Sequence, residues 1–180
     1  FLRELFGKRC AYCRTPDDRL GGEEGMKVDH FVAESRNHLL RLVWTNLYYS
    51  CDVCNNRKSD HPLHEEEAEG KRFVDPCVED PDDHFRLRRD QRTGDYCQVR
   101  ALSEAARFTV TRLQFNQRKF LRDFWREIDA ADRRLTERLR DLEELSISSP
   151  DDEDALSRLT QATTSELARV RAWRPFPLEI

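Results

Sequence analysis

Val28-Asp29-His30-Phe31 and Cys51-Asp52-Val53-Cys54-Asn55-Asn56-Arg57-Lys58, with Thr45-Asn46-Leu47 between them, decide how this chain is read. An acid beside a histidine on a short apolar run has little to give a hydrophobic core, and neither has a cysteine pair running into two asparagines. Buried without partners, such groups cost free energy, so the stretch from Met26 to Asp60 reads as a site. Lys27 to Val32 alternates polar and apolar residues with β-branched content, which predicts a short strand presenting Asp29 and His30 at its end. Ala33 to Thr45, with Leu39, Leu40, Leu42, Val43 and Trp44, is expected to be a packed loop. It leads to a second strand, Leu47 to Ser50, and a short helix from Asp52 to about Lys58.

Six cysteines without a secretory signal argue for metal binding or reactive thiols over disulfides. Cys10-Ala-Tyr-Cys13 repeats the spacing of Cys51 and Cys54. Two intervening residues let both thiolates turn toward one ion at about 2.3 Å, and two such knuckles complete a closed tetrahedron of the structural zinc type. Residues 14 to 50 form the insert that this clip encloses. A site with four cysteines leaves no open position, so chemistry here requires a different metal. Cys77 and Cys97 read as small buried hydrophobes.

Taken together, Val28-Asp29-His30-Phe31, Asn46-Leu47 and Cys54-Asn55-Asn56-Arg57-Lys58-Ser59-Asp60, framed by the two cysteine pairs, resemble the zinc-stabilised HNH endonucleases with their ββα-metal finger. The resemblance covers about residues 8 to 62. It departs from the family name at the last position, where Asn55 stands for histidine. That substitution is common in the family and occurs in the HNH domains of RNA-guided nucleases, and it exchanges an imidazole for an amide oxygen. What the resemblance implies is phosphodiester hydrolysis, with His30 as general base and with Asp29 and Asn55 holding one catalytic Mg²⁺ or Mn²⁺. Asn46 would orient the His30 ring, by its side chain or through the backbone around it, and Lys58 and Arg57 would lie near the substrate phosphates.

The chemistry agrees residue by residue. Histidine can take a proton from water near neutral pH, and carboxylate and amide oxygens suit a hard cation that neutralises charge on a phosphate and its leaving oxygen. Blander readings stand beside these. Lys58 and Arg57 also fit a solvated basic pair on a helix, Trp44 and Tyr48 fit packing, His38 fits a structural role, and His61, His64 and His84 fit ordinary exposed groups.

The 180 residues carry a net charge of −4 and are 37% charged, which excludes a generally basic nucleic-acid coat but leaves room for a local basic groove. No apolar run approaches the roughly 18 residues of a membrane span, so a cytoplasmic protein is expected. Phe1 to Gly7 has helical spacing, Thr15 to Gly25 reads as a loop, and Ser59 to Asp83 contains no long element, with Glu65, Glu66, Glu67 and Glu69 on a solvated turn. His84 to Arg89 and Tyr96 to Arg100 flank Thr93-Gly94-Asp95 as a hairpin.

Beyond the hairpin the composition turns helical. Ser103 caps a helix to about Leu113, and Asn116 suits the N-cap of a long one reaching Leu145, its stripe being Phe120, Phe124, Ile128, Leu135, Leu139 and Leu142. After a polar break at Ser146 to Pro150, a third helix spans about Asp151 to Trp173. These helices are expected either to pack on one another or to dock part of their stripe to another subunit. The fold class is therefore α+β: a zinc-stapled ββα finger in residues 1–75, an acidic connector and β-hairpin in 76–100, and a mainly helical region in 101–180.

The order of finger, Phe73-Val74-Asp75-Pro76 segment, hairpin and helix is similar to the HNH subunits of Septu-type bacterial anti-phage systems, in which such a subunit works beside an ATPase. That resemblance implies an ATPase partner and foreign DNA as target. The functional expectation is a metal-dependent DNA endonuclease. A non-catalytic zinc module that binds nucleic acid or protein, and a toxin-like RNase, are the alternatives.

Overall fold

The computed structural model describes residues 1–145 and 150–178. Strands β1 (Met26–His30) and β2 (Leu47–Cys51) pair antiparallel, from Met26 opposite Cys51 to His30 opposite Leu47. This register sets the Asp29-His30 end of β1 beside the start of β2. Helix α2 (Asp52–Lys58) follows β2 without a loop, its first turn tied by the Cys54 backbone N–H donating to Cys51 Sγ at 3.4 Å. The ββα unit predicted from the motif is thus present, each element within a residue or two of its expected bounds.

The 31–46 segment differs from the packed loop expected. Its two single-turn helices, His38–Leu40 and Trp44–Asn46, turn the apolar side chains outward, Leu42 being 87% exposed. Trp44, 47% exposed, makes a ring contact with Phe1 at 5.0 Å. Hydrogen bonds shape the loop instead of burial. The Asn46 side chain accepts from Val32 N at 2.8 Å and donates to the carbonyls of Val32 and Leu40 at 3.0 and 3.3 Å, so one buried amide ties both ends of the excursion.

Ahead of β1, α1 (Leu2–Leu5) is shorter than expected. The first cysteine knuckle is docked on β2 by Ala11 N donating to Tyr49 O at 2.8 Å. Tyr12, Phe31, Tyr48 and Phe73 form an aromatic cluster under the finger. Tyr48 is buried packing, as expected. After the finger come two short helices, α3 (His64–Ala68) and α4 (Pro81–His84). Glu66 and two of the histidines are less free than their polar context implied. Glu66 accepts from His61 Nδ1 at 2.7 Å and from Arg112, and His84 lies 2.6 Å from Ser103 Oγ and 3.2 Å from Glu79.

The hairpin β3 (Phe85–Arg89) and β4 (Tyr96–Ala101) turns Phe85, Leu87, Cys97 and Val99 inward. Cys97 is buried as expected, whereas Cys77, in the turn that begins at Pro76, is exposed. Helix α5 (Glu104–Arg112) is capped by Ser103, whose hydroxyl accepts from Ala106 N at 3.1 Å.

Asn116 is not the cap of the next helix. Its amide instead accepts from Val99 N at 2.7 Å and donates to Val99 O at 2.9 Å, completing the free edge of β4, and α6 (Lys119–Glu143) begins three residues later. An amide that satisfies two backbone groups of a core strand outweighs an exposed cap. Asn116→Ala is therefore expected to destabilise the protein by about 1–3 kcal/mol, read as a shift of the urea midpoint. No measurable shift would show that solvent replaces the amide there.

Along α6, Phe124, Ile128 and Leu142 are buried as the stripe predicted, and so are Leu121 and Trp125. Phe120 is largely exposed. Helix α7 (Pro150–Ala172) packs along α6, so these two helices cover each other. The expected break at residues 146–149 lies outside the described residues, and Pro150 is already helical. The chain then returns to the hairpin, where Leu87 N donates to Pro177 O at 2.6 Å and Phe176 packs on Phe85 and Phe115. One core therefore runs from Cys10 to Phe176. Among the described residues no helix is long and apolar enough to cross a membrane.

Candidate active site and metal centre

Two sites lie on the ββα unit. At the start of α2 the Sγ atoms of Cys10, Cys13, Cys51 and Cys54 converge within 4.8 Å of one another, all four residues being buried. Four thiolates on a tetrahedral zinc lie about 3.8 Å apart, given a metal–sulfur distance of about 2.3 Å. Cys13 and Cys51, with their sulfurs 4.0 Å apart, match that spacing. Further donors point at the sulfurs: Cys51 N reaches Cys10 Sγ at 3.3 Å, and the Arg118 guanidinium reaches Cys54 Sγ at 3.1 Å. Four soft donors gathered this closely, with outer groups suited to anionic sulfur, fit structural zinc.

The second site is an open cleft of about 370 Å³ between the end of β1, the following loop and α2. Asp29, His30, Glu34, Asn55, Ser59 and Asp60 are among its lining residues. The structure thus brings together Asp29, His30 and Asn55 of the predicted set. It places Asn46, Lys58 and Arg57 otherwise.

His30 Nε2 lies 3.0 Å from the carbonyl oxygen of Arg41. A carbonyl can only accept, so Nε2 must carry the proton, and in the neutral ring Nδ1 is left as the basic nitrogen. The orienting contact therefore comes from the loop backbone. Asn46 acts on that loop, holding it at Val32 and Leu40, and its side chain does not bond the imidazole.

Asp29 is 5% exposed. The Tyr12 hydroxyl donates to its Oδ2, and Lys58 Nζ donates to its Oδ1 at 3.2 Å. Burial pushes the carboxyl above the usual carboxylate range, against the opposing pull of Lys58 and Tyr12. Burial likewise lowers the Lys58 ammonium from its ordinary value. A carboxylate offers about four lone-pair positions, so these two contacts leave acceptor capacity for a cation. The Asn55 amide has no hydrogen-bond partner among the described residues. Hard oxygen donors, one of them unspent, fit a divalent cation of the Mg²⁺ or Mn²⁺ kind.

Lys58 corrects the reading of a phosphate-facing lysine. It is 0% exposed, and besides Asp29 it donates to the His30 carbonyl at 2.7 Å. The ammonium thus ties the end of α2 to the end of β1, fixing the cleft from beneath. Removing one member of a buried pair strands the other, so Lys58→Ala is expected to cost roughly 3–5 kcal/mol of stability. Urea unfolding checks this, and a loss below about 1 kcal/mol would place the lysine in solvent. Arg57 is half-buried on α2, in no ion pair among the described residues.

Several groups escaped sequence reasoning. Tyr12 sits inside a cysteine knuckle, where its aromatic character signals only packing. The Arg41 carbonyl has no side-chain signature at all. Glu34 and Asp60 resemble ordinary surface acids until the fold brings them to the cleft. Ser59, with φ +46° at the C-terminus of α2, also lines it.

Residues 10–61, which carry the cysteine cluster and the acid, histidine and amide of the cleft, match the family model described as HNH endonuclease. More specifically, the chain is similar to two curated proteins named Septu protein PtuB. One, from Bacillus thuringiensis, is 29% identical over 117 residues, covering 64% of this chain and 40% of the relative. The other, from Bacillus mycoides (strain KBAB4), is 24% identical over 112 residues, covering 48% and 37%. The matched stretch spans well under two thirds of either relative's length. No solved structure gives a significant match.

Proposed function

We propose that this chain is a metal-dependent endonuclease that hydrolyses DNA phosphodiester bonds, built on a zinc-stapled finger. The observation that carries the reading is the His30 ring, held through Nε2 by the Arg41 carbonyl on a cleft that Asp29 and Asn55 also line. In this reading His30 Nδ1 accepts the proton of the attacking water. Asp29 and Asn55 would hold a divalent cation, which when bound supplies charge neutralisation at the scissile phosphate and the departing oxygen. Tyr12 and Lys58 keep the Asp29 carboxylate in place, and Asn46 keeps the loop that orients His30. Arg57 is the cation proposed to meet the DNA backbone near the cleft. The zinc, on the four thiolates, fixes where α2 begins and hence where Asn55 stands.

The similarity to Septu protein PtuB supports a place in a bacterial defence complex, and an ATPase subunit as partner, foreign DNA as target and the cytoplasm as location are proposed with it. One observation favours a second reading. Both Asp29 oxygens are already engaged by Tyr12 and Lys58, as they would be in a binding module whose acid is purely structural. Incubating the protein, alone and with its operon-encoded partner, with supercoiled plasmid and single-stranded DNA in Mg²⁺, Mn²⁺ or EDTA separates the two. Metal-dependent cleavage is expected; none under any condition would favour the binding module.

A further inference from the structure

Arg118 precedes α6 and reaches back across the fold into the cysteine cluster. Its Nη1 donates to Cys54 Sγ at 3.1 Å, and its Nη2 lies 3.9 Å from Cys51 Sγ. The residue is 9% exposed and forms no ion pair with a carboxylate among the described residues. A guanidinium stays protonated at any physiological pH, and a buried charge needs a counter-charge. Neutral thiols, which are weak acceptors, would not supply one. Four thiolates on a dication would, because such a centre keeps a net charge of about −2. A thiolate–metal centre is therefore a fitting counter-charge for the guanidinium that lies against Cys54 and Cys51.

We infer that Arg118 is a positioning residue that completes the thiolate–metal centre electrostatically and latches the helical region to the finger through it. The latch bears on the cleft as well, since Cys54 is followed directly by Asn55 on α2. Losing the metal removes the centre that the Arg118 guanidinium grips at Cys54 and Cys51, so metal occupancy and docking of the α6 start are coupled. The inference is independent of the cleavage reaction and holds equally for a metal staple in a binding module.

Zinc-loaded wild-type, Arg118→Gln and Arg118→Lys proteins, transferred to a chromogenic chelator, test it, with Arg138→Gln on the exposed side of α6 as control. The glutamine variant is expected to release metal about 10- to 100-fold faster than wild type. The lysine variant, which keeps a point charge but not the planar fork, should fall between. With cobalt in place of zinc, the sulfur-to-cobalt charge-transfer band should move to lower energy in Arg118→Gln and stay close to wild type in Arg118→Lys, a change that a purely packing role does not produce. Wild-type release rates and an unmoved band in the glutamine variant would overturn the inference. If that variant does not fold, hydrogen exchange of the wild-type protein decides. Stripping the metal should abolish protection of the Arg122 amide, which donates to the Arg118 carbonyl at 3.2 Å, and protection retained at full metal loss would contradict the coupling.

Discussion

His30→Ala is expected to lower DNA cleavage by about 10²- to 10⁴-fold, the usual worth of a positioned general base, without disturbing the fold. Among the described residues the ring makes one hydrogen bond, to the Arg41 carbonyl, and His30 is only partly buried. Its removal therefore forfeits little packing. Thermal melting and metal content should stay at wild-type levels while the rate falls. A variant that cuts as fast as wild type would remove His30 from the chemistry, and one that fails to fold would assign it a structural role instead.

Cys54→Ser should have the larger effect on the molecule itself. Structural zinc sites in small domains supply apparent binding energies of about 10–16 kcal/mol, more than a typical domain's net stability of about 5–15 kcal/mol. Cys54 Sγ is also the closest acceptor of Arg118, so the substitution disturbs the cluster and its counter-charge together. Because the finger shares one core with the hairpin and helices, the loss should spread beyond the ββα unit. Elemental analysis is expected to fall from about one zinc per chain to near zero, with loss of the cooperative melt. Undiminished zinc and an unchanged melt would exclude the four-thiolate staple.

The parts of this fold legible in the sequence are those whose signals are local. The cysteine spacing announces its knuckles, the alternation around Asp29 announces β1, Ser103 announces a cap, and the α6 stripe announces its buried face at Phe124 and Ile128. What escaped was decided between segments. Asn116 has the chemistry of an N-cap, but a β-strand edge competes for the same amide. Lys58 has the chemistry of a phosphate contact, but α2 ends where its ammonium reaches Asp29. The exposed leucines of the 31–46 loop have the composition of packing, but Asn46 holds the loop without burying them. For Asn116 and Lys58, a polar side chain with two possible partners was claimed by the more deeply buried one, where an unmet hydrogen bond costs most.

The same division holds for the site. Asp29, His30 and Asn55 were readable because they lie within a short motif, and the cleft does gather them. Tyr12, the Arg41 carbonyl and Arg118 orient the motif from outside it, and only the fold makes them neighbours.

The central claim is that a closed thiolate centre and an open hard-cation cleft sit on one small finger with separate duties. Brief EDTA treatment of the active protein, followed by zinc quantification and readdition of Mn²⁺, tests it most directly. Cleavage should vanish while about one zinc per chain remains on the cysteines, and Mn²⁺ alone should restore it. Cleavage that survives EDTA, or that falls only in step with zinc loss, would contradict the account.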